Sequence, residues 1–159
     1  MANPSPAYVL RPCPRDDPAF RDLVAQLDGF LAVTDGDEHD FYAQFNHADT
    51  LDYALVLEAV DGRALACGAL RAKSAERIEV KRMYVVEEAR GGRLAVTVLR
   101  ALEAEALRRG FREIVLETGI RQPAAIRLYE REGYTRIEAY PPYAGVDNSV
   151  CFGKSVGAA

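Results

Sequence analysis

Residues 80–95 read VKRMYVVEEARGGRLA, and this stretch decides the fold. Val80 to Val86 has the β-branched and aromatic composition of a strand. Arg90-Gly91-Gly92-Arg93 is a turn, and Leu94, Val98, Leu102 and Ala106, with Leu99 and Leu107 beside them, recur at helical spacing over 93–109. A strand, a glycine-bearing turn and a helix together make an anion site. The first helical turn leaves N–H groups without partners, and the helix dipole adds about half a positive charge there. Gly91 and Gly92 permit close approach of a bulky ligand, and Arg90 and Arg93 add full charge. An ordinary turn before a surface helix would use the same residues, so the stretch alone leaves both readings open. There is no GxxxxGK[ST] and no GxGxxG after an early strand, so neither a P-loop nor a dinucleotide fold is expected.

Upstream, residues 53–60 form a β-type run, Asp61-Gly62 signals a hairpin turn, and strands follow at 64–72 and 77–86. Three strands joined by short turns predict an antiparallel meander. Before it come a short strand at 7–11 and an amphipathic helix over 17–32, which starts at Asp16, Asp17 and Pro18. A second, shorter helix is expected around 38–46. Downstream, a strand is expected at 112–118, a helix from Pro123 to Glu132 closed by Gly133, and final strands at 134–138 and 149–154. The order predicts one α/β (α+β) domain over 1–159, with a mixed, mostly antiparallel sheet of six or seven strands flanked by about four helices.

The chain has 159 residues, 49% hydrophobic and 28% charged, a balance suited to one globular domain. Its net charge of −4 tilts against nucleic acid or an anionic membrane as partner, and no apolar run approaches the roughly 20 residues of a membrane span. Cys13, Cys67 and Cys151 are odd in number and form no CxxC, and the start lacks a signal-peptide pattern; a cytoplasmic protein with reduced thiols is expected. His39 and His47 are the only histidines and fit no ligand spacing, so no metal is expected.

Residues 80–95 resemble the core strand and the [Q/R]-x-x-G-x-[G/A] loop of the GCN5-related N-acetyltransferase (GNAT) superfamily. Arg90 takes the first position and Ala95 the last, while Arg93 stands where the family usually has glycine. Residues 122–134, QPAAIRLYEREGY, resemble the family's N-x-x-A-x-x-L-Y-x-x-x-G-[F/Y] segment, with Gln122 in place of asparagine. The two motifs fall at the family's separation and on the expected elements.

The resemblance implies an enzyme that moves acetyl from acetyl-CoA, as co-substrate, to a primary amine of a small molecule or peptide. It implies cofactor contacts at Met83, Tyr84, Val85, Arg90, Gly91, Gly92, Arg93, Leu94, Ala95, Gln122, Ala125 and Tyr129. It makes Tyr129 the candidate general acid for the leaving thiolate and Glu79 the candidate general base, acting directly or through a water. Strand alternation alone would make Glu79 a solvated residue beside Arg77 and Lys81, and would make Tyr129 a core aromatic. The resemblance puts substrate contacts in the Tyr140-Pro-Pro-Tyr143 loop, so Tyr143, with Arg71 and the expected 38–46 helix, is a candidate for the amine pocket, with Cys151 near it as a buried small residue. Homodimers are common in the family. Arg93 and Gln122 keep open a second reading, a non-catalytic acyl-CoA-binding domain of the same fold.

Overall fold

The computed structural model describes residues 8–35 and 51–157. The expected short helix at 38–46 lies outside them. Strand β1 (Tyr8–Cys13) leads to helix α1 (Pro18–Asp35). Asp17 caps that helix, its Oδ1 accepting from the backbone N–H groups of Ala19 at 3.0 Å and Phe20 at 3.2 Å. Phe20, Leu23 and Leu27 form the buried stripe of α1.

The meander is β2 (Tyr53–Ala59), β3 (Ala64–Ala72) and β4 (Arg77–Val85). A 3-10 turn at Glu87–Ala89 leads to α2 (Leu94–Arg108). Then come β5 (Glu113–Gly119), α3 (Pro123–Arg131), β6 (Thr135–Arg136) and β7 (Ser149–Ser155). The expected 134–138 strand shrinks to the ladder pairs of Thr135 and Arg136 with β7, followed by a bond from the Ile137 N–H to the Cys151 carbonyl at 3.0 Å. The seven strands lie in the order β1-β2-β3-β4-β5-β7-β6, and β4 with β5 is the parallel pair in an otherwise antiparallel sheet.

The central strands β2 and β3 are buried on both faces, as expected where helices cover a sheet from two sides. Leu94, Val98, Leu99, Leu102 and Ala106 of α2 are buried, each large side chain contributing about 1.5–3 kcal/mol on leaving water. β3 lies close under this helix at Gly68, where an added Cβ would come within 2.7 Å of Leu102 and 2.8 Å of Val98. No helix among the described residues is long and apolar enough to cross a membrane.

Two features of β4 position the site. Its parallel pairing with β5 covers only Arg77, Ile78 and Glu79, so the strands part beyond Glu79. On its other edge the register with β3 shifts between Cys67 and Ala69, opposite Arg82, whose φ is +61°. This bulge gives β4 one extra residue. Lys81 reaches Tyr143 and Arg82 reaches Asp28 on α1, so both charged side chains leave one side of the sheet, whereas Met83 packs against Gly68 under α2.

Candidate active site

The gap between β4 and β5 opens onto a cleft of about 910 Å³. Its walls are the β4 residues Met83, Tyr84 and Val85, the turn residues Arg90, Gly91 and Arg93, the start of α2 at Leu94 to Val96, and Ala125 and Tyr129 of α3. A smaller cavity of about 140 Å³ adjoins it, and Met83, Ala125 and Tyr129 line both.

Most of the residues predicted to meet the cofactor are therefore brought together. Among the described residues, the backbone N–H groups from Gly91 to Val96 have no backbone acceptor, and the first intrahelical bond runs from Thr97 N–H to the Arg93 carbonyl at 3.1 Å. Gly91 sits at φ +87°, where a glycine is favoured. Arg93 also takes a left-handed conformation, at φ +66°. That explains physically why a glycine suits this position: arginine pays about 1–2 kcal/mol for the same backbone. Arg90 is less a free charge than a brace. Its Nε donates to the Val85 carbonyl at 3.0 Å, and its guanidinium lies 5.4 Å from the Phe30 ring centre and 5.6 Å from that of Tyr84.

The register also settles where Val85 points. Val86 N–H donates to the Leu65 carbonyl at 2.9 Å. By alternation, the N–H and C=O of Val85 then turn away from β3 into the gap that β5 has left. Arg90 takes that carbonyl, and the Val85 N–H faces the cleft.

Tyr129 is buried where the two cavities meet, with its ring edge-on to Tyr134 at 5.8 Å and tilted toward Phe152 at 6.2 Å. Burial first, and the charge of Glu117 second, push its hydroxyl above the usual tyrosine range. It stays protonated and suits hydrogen-bond donation better than full proton loss. Gln122 stands at the N-cap position of α3 without a side-chain cap bond, and lines the smaller cavity.

Glu79 is not the solvated strand residue that alternation alone would make it. It is only 2% exposed. Tyr140 donates to its Oε2 at 2.7 Å, and Lys81 and Lys73 lie 3.8 and 4.0 Å from its Oε1. Arg77 pairs instead with Glu113 at 2.7 Å. Glu79, Lys81, Arg82, Glu117 and Tyr143 share the wall of the smaller cavity with Leu27 and Leu31 of α1. Lys81 donates to the Tyr143 hydroxyl at 3.3 Å. Burial lowers the Lys81 ammonium below the usual lysine range, with the Glu79 charge opposing. Burial likewise raises the hydroxyls of Tyr140 and Tyr143, and the Glu79 charge adds to both.

Of the residues assigned to the amine, Tyr143 lines this cavity. Arg71 pairs across the sheet with Glu79 and lines neither cavity. Gly92 is likewise in neither wall. Cys151 is buried behind the cavity against Tyr140 and Tyr143. The sequence reading placed Tyr140 only in the loop that carries Tyr143, and missed Lys81, Arg82, Glu117 and the two α1 leucines as site residues. The charged residues Arg77, Glu79, Lys81 and Arg82 inside a strand in the middle of the sheet were the available signal, since the adjacent pair Lys81 and Arg82 cannot both be solvated on a covered sheet.

The sheet order, the parallel pair that opens and the glycine turn before α2 define an acyltransferase fold. Residues 19–134 match the Acetyltransferase (GNAT) family, and the chain belongs to it. An IAA acetyltransferase of Azospirillum brasilense is 32% identical over 143 residues, spanning 85% of this chain and 88% of its own length. A Klebsiella pneumoniae structure described as an acyl-CoA N-acyltransferase is 33% identical with a TM-score of 0.81, covering 95% of this chain and 99% of that one. A GNAT family acetyltransferase from Elizabethkingia anophelis, solved with acetyl-CoA bound, shares the fold at 14% identity with a TM-score of 0.70, over 94% of this chain and 98% of its own.

Proposed function

We propose that this protein is an acetyl-CoA-dependent N-acetyltransferase that moves acetyl directly from the thioester to a primary amine of a small molecule or peptide. One observation carries the reading. The cleft runs without interruption from the bare N–H groups of Gly91–Val96, along β4, to Tyr129, where the smaller cavity meets it. A long donor with an anionic diphosphate at one end and a thioester at the other fits that path. The donor supplies the activated acetyl group; the chain's residues hold it and manage the protons.

An amine of ordinary pKa about 10.4 costs about 4–5 kcal/mol to deprotonate at pH 7. Glu79 is the proposed proton acceptor, reached through a water because its carboxylate is sealed in the wall. As the C–N bond forms and the C–S bond breaks, Tyr129 donates a hydrogen bond to the departing thiolate. The Val85 N–H stabilises charge on the thioester oxygen, as an oxyanion-hole donor does. Of the two protons the ammonium loses, one leaves through Glu79 and water to solvent and the other ends on the thiol, so amide, thiol and one released proton balance the reaction.

The engagement of both Glu79 oxygens favours a second reading, a non-catalytic acyl-CoA-binding domain. Calorimetric titration with acetyl-CoA, alongside thiol release over amino acids, polyamines, aminoglycosides and peptide N-termini, separates the two. Binding with thiol release on at least one amine supports the enzyme. Binding without release on any amine supports the sensor.

A further inference from the structure

The smaller cavity carries more information than a generic amine requires. Its charged wall residues lie at two places: Glu79, Lys81 and Arg82 on β4, with Glu79 3.8 Å from Lys81, and Glu117 on β5. Lys81 and Arg82 are neighbours on the β4 bulge, both on the side of α1, with side chains only 6% and 4% exposed. Glu117 stands across the gap on β5, accepts from the Ser149 hydroxyl at 3.3 Å, and is the charge that acts on Tyr129. Leu27 and Leu31 supply an apolar wall between them.

Building on the acetyltransferase reading, we propose that the acceptor is a zwitterion: a small amino acid whose carboxylate lies against Lys81 and Arg82 and whose amine lies against Glu117, beside Tyr129.

Three features support this. The two cations are already stripped of water, and burial holds both below their usual pKa ranges despite Glu79 and Asp28. A ligand carboxylate restores what burial removed, whereas the second ammonium of a polyamine meets like charge at short range. Arg82 can take a carboxylate side-on, in the paired geometry that guanidinium favours. The size also agrees. The volume of about 140 Å³ is near the roughly 150 Å³ that accepts a benzene, about six heavy atoms, and alanine has as many. Larger apolar side chains can follow Leu27 and Leu31 along α1.

The test is a comparison of kcat/KM on the wild-type protein for alanine and leucine against their amides and methyl esters, and against a diamine of similar length. The expected result is a loss of at least about 10-fold on removing the carboxylate, with the diamine weaker still. In Arg82→Gln and Lys81→Gln the acid-to-amide ratio should collapse toward one, and Glu117→Gln should raise the amine KM more than it lowers kcat. Amides or diamines used as well as the acids overturn the zwitterion subsite while leaving acetyl transfer to amines standing. No turnover of any amine by cofactor-loaded protein overturns both. The wild-type comparison needs no variant to fold.

Discussion

The Tyr140 hydroxyl donates to Glu79 Oε2 at 2.7 Å, tying the loop before the last strand to the centre of β4. Lys81 and Lys73 face the other carboxylate oxygen, at 3.8 and 4.0 Å. Tyr140→Phe leaves a buried acceptor without its donor, which costs about 1–3 kcal/mol. Urea unfolding should report that loss; a change within about 0.5 kcal/mol contradicts it.

Glu79→Gln keeps the side chain's shape and one acceptor but cannot take a proton. General-base catalysis is typically worth about 10²–10⁴-fold, so kcat/KM should fall by about 10² or more. Wild-type kcat/KM across pH 6–9 in this variant removes Glu79 from the base role.

For Tyr129→Phe, kcat should fall much further than the KM for acetyl-CoA rises, since the hydroxyl acts on the leaving sulfur and the ring alone lines the cleft. The reverse pattern contradicts the assignment. The pH profile gives a second check. A tyrosine whose pKa is raised stays protonated above its usual range, so Tyr129 should set no alkaline fall in kcat below about pH 10. A fall near pH 8–9 that disappears in Tyr129→Phe contradicts the raised value.

Arg93→Gly separates backbone from charge. Relief of the left-handed arginine gains about 1–2 kcal/mol, and the more flexible unfolded chain takes back about 0.4–1, leaving Tm equal or slightly higher. Loss of a cation beside the bare N–H groups should weaken acetyl-CoA binding several-fold in calorimetry. Gly91→Ala, at φ +87°, should instead lower Tm. A clear Tm loss in Arg93→Gly contradicts the strain argument.

Asp17 caps α1 and pairs with Arg11 at 2.9 Å, and Arg11 also hydrogen-bonds Glu58. The Arg11 hydrogen bond, followed by the backbone N–H of Phe20, holds the Asp17 carboxyl below its usual range. A depressed carboxylate contributes stability above the unfolded value near 4 and loses it as pH falls through the folded one. Asp17→Ala should therefore cost about 1 kcal/mol at pH 7, with the gap to wild type closing below about pH 4. A gap that persists at pH 2–3 contradicts the linkage.

Local chemistry was legible in the sequence. The Asp16-Asp17-Pro18 start, the Asp61-Gly62 turn and the two helices flanking β5 stand where short-range signals put them. The turn at 90–95 and the α3 segment were legible because each is a local pattern of its own backbone turn or helix face. The acceptor side was not. Tyr140 and Glu79 are 61 positions apart, and no local pattern links them. The β4 bulge depends on how β3 registers against it, so nothing within VKRMY reveals that Lys81 and Arg82 share a side. Arg93 reads as a charge in the sequence and becomes a left-handed residue only once α2 is built on it.

Direct transfer is tested most squarely by isotope-labelled acetyl-CoA mixed with the protein and an accepted amine, with product and intact protein followed together by mass spectrometry. The account predicts that the label passes wholly to the amine nitrogen, one free thiol appearing per amide, while the protein's mass stays unchanged throughout. Label that remains on bound thioester, or that collects covalently on the protein before reaching the amine, contradicts it.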